Sequence, residues 1–326
     1  MNRSSIFLII FFGISGCSYI NNDSSNFFKE NEKAKTTVAE IAKTAAESSN
    51  RSSTFNTEVR SKAKLYLENT INSSFYNLLP NWEIELNTGV HSKSELNLST
   101  TREIIETNGI EHTVFWQGSS LINKNSSTIN LGIGYRHLSD NYKWLSGLNF
   151  FYDHEFPYNH KRASLGTELK SSVFELNSNF YKSLSSWEKG LLNNQEYALD
   201  GYDLELGGQV PFIPSAKFYI KKFKWDNIQN ATDLKGQTYS VKVDHIFSNG
   251  ISIEAGRKNY EIGRDNDFVA LNYSVKLGEN KNLQSPKPFF SDKMFIMTSM
   301  ENNRLEKVRR ENRIVKQVSG FTIKFR

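Results

Sequence analysis

The side chains best suited to chemistry in this 326-residue chain are few and scattered. Tyr152-Asp153-His154-Glu155 sets two carboxylates beside an imidazole, the residue types of metal binding and acid–base work. Period-two alternation runs through this stretch, and neighbours on a strand point to opposite faces, so Asp153 and His154 do not converge. Asp244-His245 fails for the same reason. His91, His112, His137, His154, His160 and His245 fall in separate segments, with neither ligand nor triad spacing. No metal, cofactor or enzymatic activity is expected.

The single cysteine excludes an intramolecular disulfide framework and a Cys-based zinc site. Its context is more telling. Arg3 precedes the apolar run 6–14, and Ser15-Gly16-Cys17 follows, which reads as a secretory signal peptide too short to span a membrane. Ile14-Ser15-Gly16-Cys17 resembles a lipobox, the signal at which bacterial lipoproteins are cleaved and acylated. The bland alternative is an ordinary signal peptide with an incidental cysteine. Lipidation at Cys17 is expected, and Ser18, in place of an Asp there, implies sorting to the outer membrane.

The densest charge cluster is Arg304, Lys307, Arg309, Arg310 and Arg313. It reads either as a solvated helix face or as a segment whose cations meet carboxylates in a confined space, where screening is weak.

The elements that would position these groups follow from composition and periodicity. A net charge of +5, spread along the chain, gives no nucleic-acid footprint. No apolar run of about 20 residues follows residue 14, which excludes a helical membrane protein. The chain is polar (mean hydropathy −0.53) yet 13% aromatic, which leaves a soluble β protein or a membrane barrel, whose strands hide their hydrophobicity by alternation. Residues 18–34 read as a tether, 35–49 and 56–78 as helices, and Pro80 as their stop. From Trp82 to Gly278 the period is two. Ile129, Leu131, Ile133 and Tyr135 oppose Asn130, Gly132, Gly134 and Arg136. Tyr202, Leu204 and Leu206 oppose Asp203, Glu205 and Gly207, and Val269, Leu271 and Tyr273 oppose Ala270, Asn272 and Ser274. Unlike charges on the polar face (Arg162, Glu168, Asp203, Glu205, Arg257) suit a crowded lumen. Aromatics at segment ends (Trp82, Trp116, Trp144, Tyr152, Trp187, Trp225) suit interfacial girdles. About twelve such segments predict an all-β, twelve-stranded antiparallel transmembrane barrel, an even count that closes without an edge.

Asn130-Leu131-Gly132-Ile133-Gly134-Tyr135-Arg136, Gly147-Leu148-Asn149-Phe150-Phe151-Tyr152-Asp153 and Arg162-Ala163-Ser164-Leu165-Gly166-Thr167-Glu168 together resemble the β-domain of the intimin/invasin family, the inverse autotransporters. Asn179-Phe180-Tyr181 and Gly201-Tyr202-Asp203 continue the match. The resemblance covers about residues 80–326 and implies an outer-membrane barrel with a periplasmic amino terminus. Its partners would be outer-membrane lipid, the barrel assembly machinery and periplasmic chaperones, with no nucleic acid. It implies that Asp153 faces the lumen with Arg136, Arg162, Glu168, Asp203 and Glu205. It also implies that Asn302–Val315 is a linker in or below the pore, whose cations meet Asp153, Glu168, Asp203 and Glu205.

The expected organisation is a lipoprotein-type signal (1–16), periplasmic tether and helices (17–80), barrel (81–278) and linker (279–326). Residues 291–312 read as helix, about 33 Å long. Residues 313–326, extended, could reach about 46 Å. That crosses a band of ~25 Å and leaves room for a few residues beyond it, so no folded adhesive passenger is expected. The functional expectation is a translocator, display or envelope-structural barrel plugged or threaded by its own linker. A small diffusion channel gated by the tail and the remnant of a split adhesin are the alternatives.

Overall fold

The computed structural model describes residues 82–89, 95–105, 109–228, 232–244, 251–275 and 289–319. The chain divides into two compact units, residues 1–79 and 80–326, and all described residues lie in the second. The expected signal, Cys17, the tether and helices, His91, His245, and residues 279–288 and 320–326 lie outside the described residues.

Fifteen strands follow in chain order: β1 (Trp82–Gly89), β2 (Glu95–Ile105), β3 (His112–Ile122), β4 (Ser127–Leu138), β5 (Leu145–Phe156), β6 (Lys161–Lys170), β7 (Phe174–Ser183), β8 (Glu188–Lys189), β9 (Gln195–Ala198), β10 (Gly201–Val210), β11 (Ile213–Trp225), β12 (Leu234–Asp244), β13 (Ile251–Tyr260), β14 (Asn266–Val275) and β15 (Lys316–Val318). Twelve of them close an antiparallel barrel in the order β1-β14-β13-β12-β11-β10-β7-β6-β5-β4-β3-β2. The pairing of β1 with β14, Trp82 opposite Val275 to Gly89 opposite Phe268, removes the last free edge. The short strands β15, β9 and β8 form a separate three-stranded sheet.

The barrel is polar inside and apolar outside. Asn130, Arg136, Asp153 and Arg162 are fully buried, while Ile133, Leu148 and Phe180 are nearly 60% exposed. This inversion is the arrangement a lipid solvent requires. Antiparallel connections put the turns at 139–144, 171–173 and 211–212 at one end, here the inlet. The turns at 123–126 and 157–160 and the long loop 184–200 lie at the other end, the outlet. The outlet turn after β3 is set by Asn123, whose side-chain oxygen accepts the backbone N–H groups of Asn125 and Ser126 at 2.9 Å.

Two inward glycines make room for rings. A Cβ on Gly132 would lie 2.4 Å from the Phe151 ring, and one on Gly134 would lie 2.3 Å from Phe115. Phe115 and Phe151 thus lie flat against β4 and form a small core with Val308.

The expectations need three corrections. Arg257 does not face the lumen. It points outward, 58% exposed, and pairs with Asp267 at 2.6 Å. Its neighbours Gly256 and Lys258 hold the inward phase, which the polar run Gly256-Arg257-Lys258-Asn259 conceals. Trp225 is not an interfacial aromatic: it is 1% exposed, in a core with Tyr181, Leu199, Phe223 and Val315 at the outlet. The segment 291–312 is not a helix. Apart from one 3-10 turn at Glu301–Asn303 it runs without regular structure.

Replacing Gly134 with Val should evict the Phe115 ring and prevent closure. The expected outcome is loss of the fast-migrating folded band in unboiled electrophoresis, while Gly109→Val, where a Cβ meets nothing within 4 Å, leaves it intact.

Candidate functional site: the lumen and its crossing segment

The chain enters the lumen by way of the inlet turns. Ser291 N–H donates to Phe212 O and Phe212 N–H to Met294 O, both at 2.9 Å. Thr298 N–H reaches Ser172 Oγ at 2.8 Å, and Met300 N–H reaches Tyr142 O at 2.7 Å. Met300 is buried against Leu138 and Leu145.

Beyond residue 303 the wall satisfies the backbone of the segment. Arg136 donates Nη1 to the carbonyls of Arg304 and Glu306, each at 2.7 Å, while its Nε holds Glu168 at 2.5 Å. Arg162 repeats the device higher up, with Nη1 to Arg313 O at 3.0 Å, Nη2 to Glu311 O at 2.6 Å and Nε to Asp153 at 2.9 Å. Asn179 and Asn130 donate to the carbonyls of Arg309 and Asn312. Gln117 accepts Val308 N–H at 2.9 Å, and Tyr181 Oη accepts Glu311 N–H at 2.7 Å. These bonds explain why the segment is extended. A helix would turn its N–H and C=O groups on themselves and leave the buried wall donors unmatched, at about 1–3 kcal/mol each.

An extended backbone also sends successive side chains to opposite walls. Arg309 meets Glu205 (2.5 Å) and Glu254 (3.1 Å) and lies 3.9 Å over the Tyr219 ring. Arg310 grips Asp153 through both terminal nitrogens, at 2.9 and 2.7 Å, reaches Ser164 at 3.0 Å and lies 4.3 Å over Phe151. Lys307 bridges Glu83 and Glu85 at 2.9 and 2.5 Å. Arg313 pairs with Glu95, and Arg304 donates to Thr113 Oγ1 at 3.1 Å.

All six residues expected in the lumen are therefore buried there, but only two of the four expected carboxylates meet a cation of the segment. Glu168 is taken by Arg136 and Lys170 of the wall. Asp203 accepts from Tyr181 and Asn179. Sequence reasoning missed Glu83, Glu85, Glu95 and Glu254. A signal existed for two of them: Glu83 and Glu85 alternate with Ile84 and Leu86, as a lumen pair should. His154 points outward to Asn159 at 2.9 Å, away from Asp153. Among the described residues no group of three or more His, Cys, Asp or Glu could hold a metal.

At the outlet, β15 pairs with β9, Lys316 opposite Ala198 to Val318 opposite Glu196. Lys316 Nζ bridges Glu155 and Glu196 at 2.8 and 2.9 Å, and buried His160 lies 3.5 Å from Glu196. Burial pushes the Glu196 carboxyl up, but the nearby His160 imidazole and the Lys316 charge outweigh it and hold the group down at about 2.

The profile of the inverse autotransporter β-domain matches residues 31–312. This chain belongs to the inverse autotransporter β-domain family. It is similar to a putative attaching and effacing protein homolog of Escherichia coli strain K12, 32% identical over 139 residues, 41% of this chain and 45% of that protein. It is also similar to the inverse autotransporter adhesin YeeJ of the same strain, 34% identical over 105 residues, 31% of this chain and 4% of the adhesin. The chain thus spans under half the length of the first of these relatives and a small part of the second. A solved chain described as "Unveiling the Mechanism Behind the in-meso Crystallization of Membrane Proteins" has the same fold. It aligns with a TM-score of 0.61 at 17% identity, over 73% of this chain and 99% of that one. Membership of this barrel family places the protein in the outer membrane.

Two outcomes follow from the lumen contacts. Asp153→Ala leaves Arg162 and Arg310 buried without their carboxylate and should cost about 3–5 kcal/mol in reversible urea unfolding of the reconstituted barrel. The depressed Glu196 value means that its pairing stabilises the outlet sheet above the ordinary carboxylate range and is lost as pH falls towards 2. Hydrogen-exchange protection factors, taken against the intrinsic rate at each pH, should hold at residues 195–198 and 316–318 at pH 5 and fall at about pH 2.

Proposed function

We propose that this barrel is a translocator and display unit plugged by its own carboxyl-terminal linker. The amino terminus lies in the periplasm, so the inlet is periplasmic and the outlet faces the cell surface. The linker is the translocated element, held at rest by the pairing of Lys307, Arg309, Arg310 and Arg313 with wall carboxylates. The single observation that carries this reading is the split between adjacent residues. Arg309 is bound to one wall through Glu205 and Glu254, and Arg310 to the other through Asp153. A strand gripped from two sides resists sliding along the pore axis, because a one-residue shift reverses every side chain.

The amino-terminal segment is assigned a supporting role, with Cys17 as the site of lipid attachment. One acyl chain binds weakly and several bind firmly, so the anchor would hold the periplasmic end close to the bilayer. Insertion by the outer-membrane barrel assembly machinery, after escort by periplasmic chaperones, belongs to the same reading. No catalytic step is part of it.

A second reading, a restricted channel, is favoured by one observation. A cavity of about 780 Å³ lies beside the crossing segment, lined by Glu83, Glu85, Lys242, Glu254, Lys258 and Asn272 among others.

Single-channel recording in planar bilayers separates the two. Under the plug reading, the full chain conducts weakly, Arg309→Gln with Arg310→Gln raises conductance several-fold, and removal of residues 285–326 opens the barrel fully. Free conduction by the full chain, unchanged by the double substitution, would decide for the channel.

A further inference from the structure

The outward face of the barrel distributes its cations unevenly. Near the outlet, the described strands carry Lys161, Lys182, Lys222, Lys224, Lys235 and Arg257 pointing away from the lumen, each in phase with the exposed apolar residues of its strand. Near the inlet, the outward positions of the described strands carry one cation, Arg102. Three of the six have carboxylate partners: Lys182 with Asp200, Lys224 with Asp226 and Asp233, and Arg257 with Asp267. Among the described residues, Lys161, Lys222 and Lys235 have no carboxylate within 4 Å.

Beneath this belt lies a groove in the lipid-facing surface, with a volume of about 410 Å³. Its sides are Phe150, Leu165, Phe180 and Tyr202, the small outward residue Ala163 leaves it open, and Lys182, Asp200 and Asp226 line its outlet end. Strand register ties groove and belt together. Phe150 lies opposite Leu165, Leu165 opposite Phe180, Phe180 opposite Tyr202, Tyr202 opposite Lys224 and Lys224 opposite Lys235. Lys182 lies opposite Ala163, at the outlet end of the groove, with its side chain 75% exposed.

We propose that this face binds a phosphate-bearing lipid of the outlet-side leaflet, with an acyl chain in the groove and its anionic headgroup on Lys182, Lys222, Lys224 and Lys235. Charge complementarity and continuity with the lipid-facing belt select this occupant. An acyl chain matches the aromatic and aliphatic sides. Each cation near an anionic membrane surface adds attraction that decays within a Debye length. Asp226 is exposed and Asp200 and Asp233 are half-buried, while the Lys182 side chain is 75% exposed, so an approaching phosphate can compete for those cations. The proposal is independent of the plug. It concerns the outer wall, and a barrel with an empty lumen would bind the same lipid.

The full-length protein, purified in detergent, tests this by native mass spectrometry of retained lipid. The probes are bisphosphoryl lipid A, its dephosphorylated form and inorganic phosphate. Saturable retention of the bisphosphorylated form is expected, about tenfold or more weaker in the variant Lys182→Gln, Lys222→Gln, Lys224→Gln, Lys235→Gln. Ala163→Trp, which fills the groove and leaves every cation in place, should also release the lipid. Unboiled electrophoresis confirms that each variant is folded. Equal retention by the four-lysine variant, equal retention of the dephosphorylated lipid, or full displacement by millimolar inorganic phosphate would each overturn the proposal.

Discussion

The structure depends on two wall arginines that no water can reach. Arg136 and Arg162 are fully buried, and each divides its donors in the same way. The inner edge of the guanidinium pairs laterally with a wall carboxylate, Glu168 two strands away for Arg136 and Asp153 on the adjacent strand for Arg162. The outer edge reaches across to two carbonyls of the crossing segment. A planar guanidinium with five fixed donors suits this double duty, and a lysine could not replace it. Removing the segment would leave four donor–acceptor pairs broken in a low-dielectric site, so the lumen and its occupant form one polar core.

That core is ordered as a soluble protein's apolar core would be. Rings sit over glycines, cations sit over rings, and carboxylates close the ladder. Phe115 lies on Gly134 and receives Arg136 at 4.4 Å. Phe151 lies on Gly132 and receives Arg310 at 4.3 Å. Tyr181 accepts a backbone N–H of the segment, donates to Asp203 and faces Arg162 at 4.4 Å. Space made by a missing Cβ on β4 thus sets where a charge on residue 310 can be neutralised. The outlet sheet adds a second grip, where Lys316 ties β15 to Glu155 of the barrel and Glu196 of the loop.

The barrel was largely legible in the chain, because alternation is a local signal. The alternation read from Trp82 to Gly278 and its count of about twelve segments correspond to the twelve barrel strands between Trp82 and Val275, and Arg136, Asp153, Arg162, Glu168, Asp203 and Glu205 all lie inside. Where alternation is blurred, the reading fails. The run 256–259 is polar on both phases, so it does not define the face of Arg257. Trp225 ends its strand as an interfacial aromatic would, but a long loop folds over it, and loop folding leaves no periodic trace. The Lys, Arg and Glu content of the linker favours helix. Its actual conformation is imposed by donors more than a hundred residues away in sequence, such as Arg136 and Arg162, and local propensity carries no record of them.

The central claim is that the linker lies extended in the lumen at one fixed register, and a cross-link tests it most directly. With Gln117→Cys and Val308→Cys in the full chain, a short thiol-specific cross-linker applied to intact outer membranes should join residues 117 and 308, and mass spectrometry of the digest should detect the junction. The same treatment of Gln117→Cys with Asn303→Cys or Arg313→Cys should give little product. Equal yields from all three pairs, or none from 117 and 308 in a folded barrel, would contradict the account.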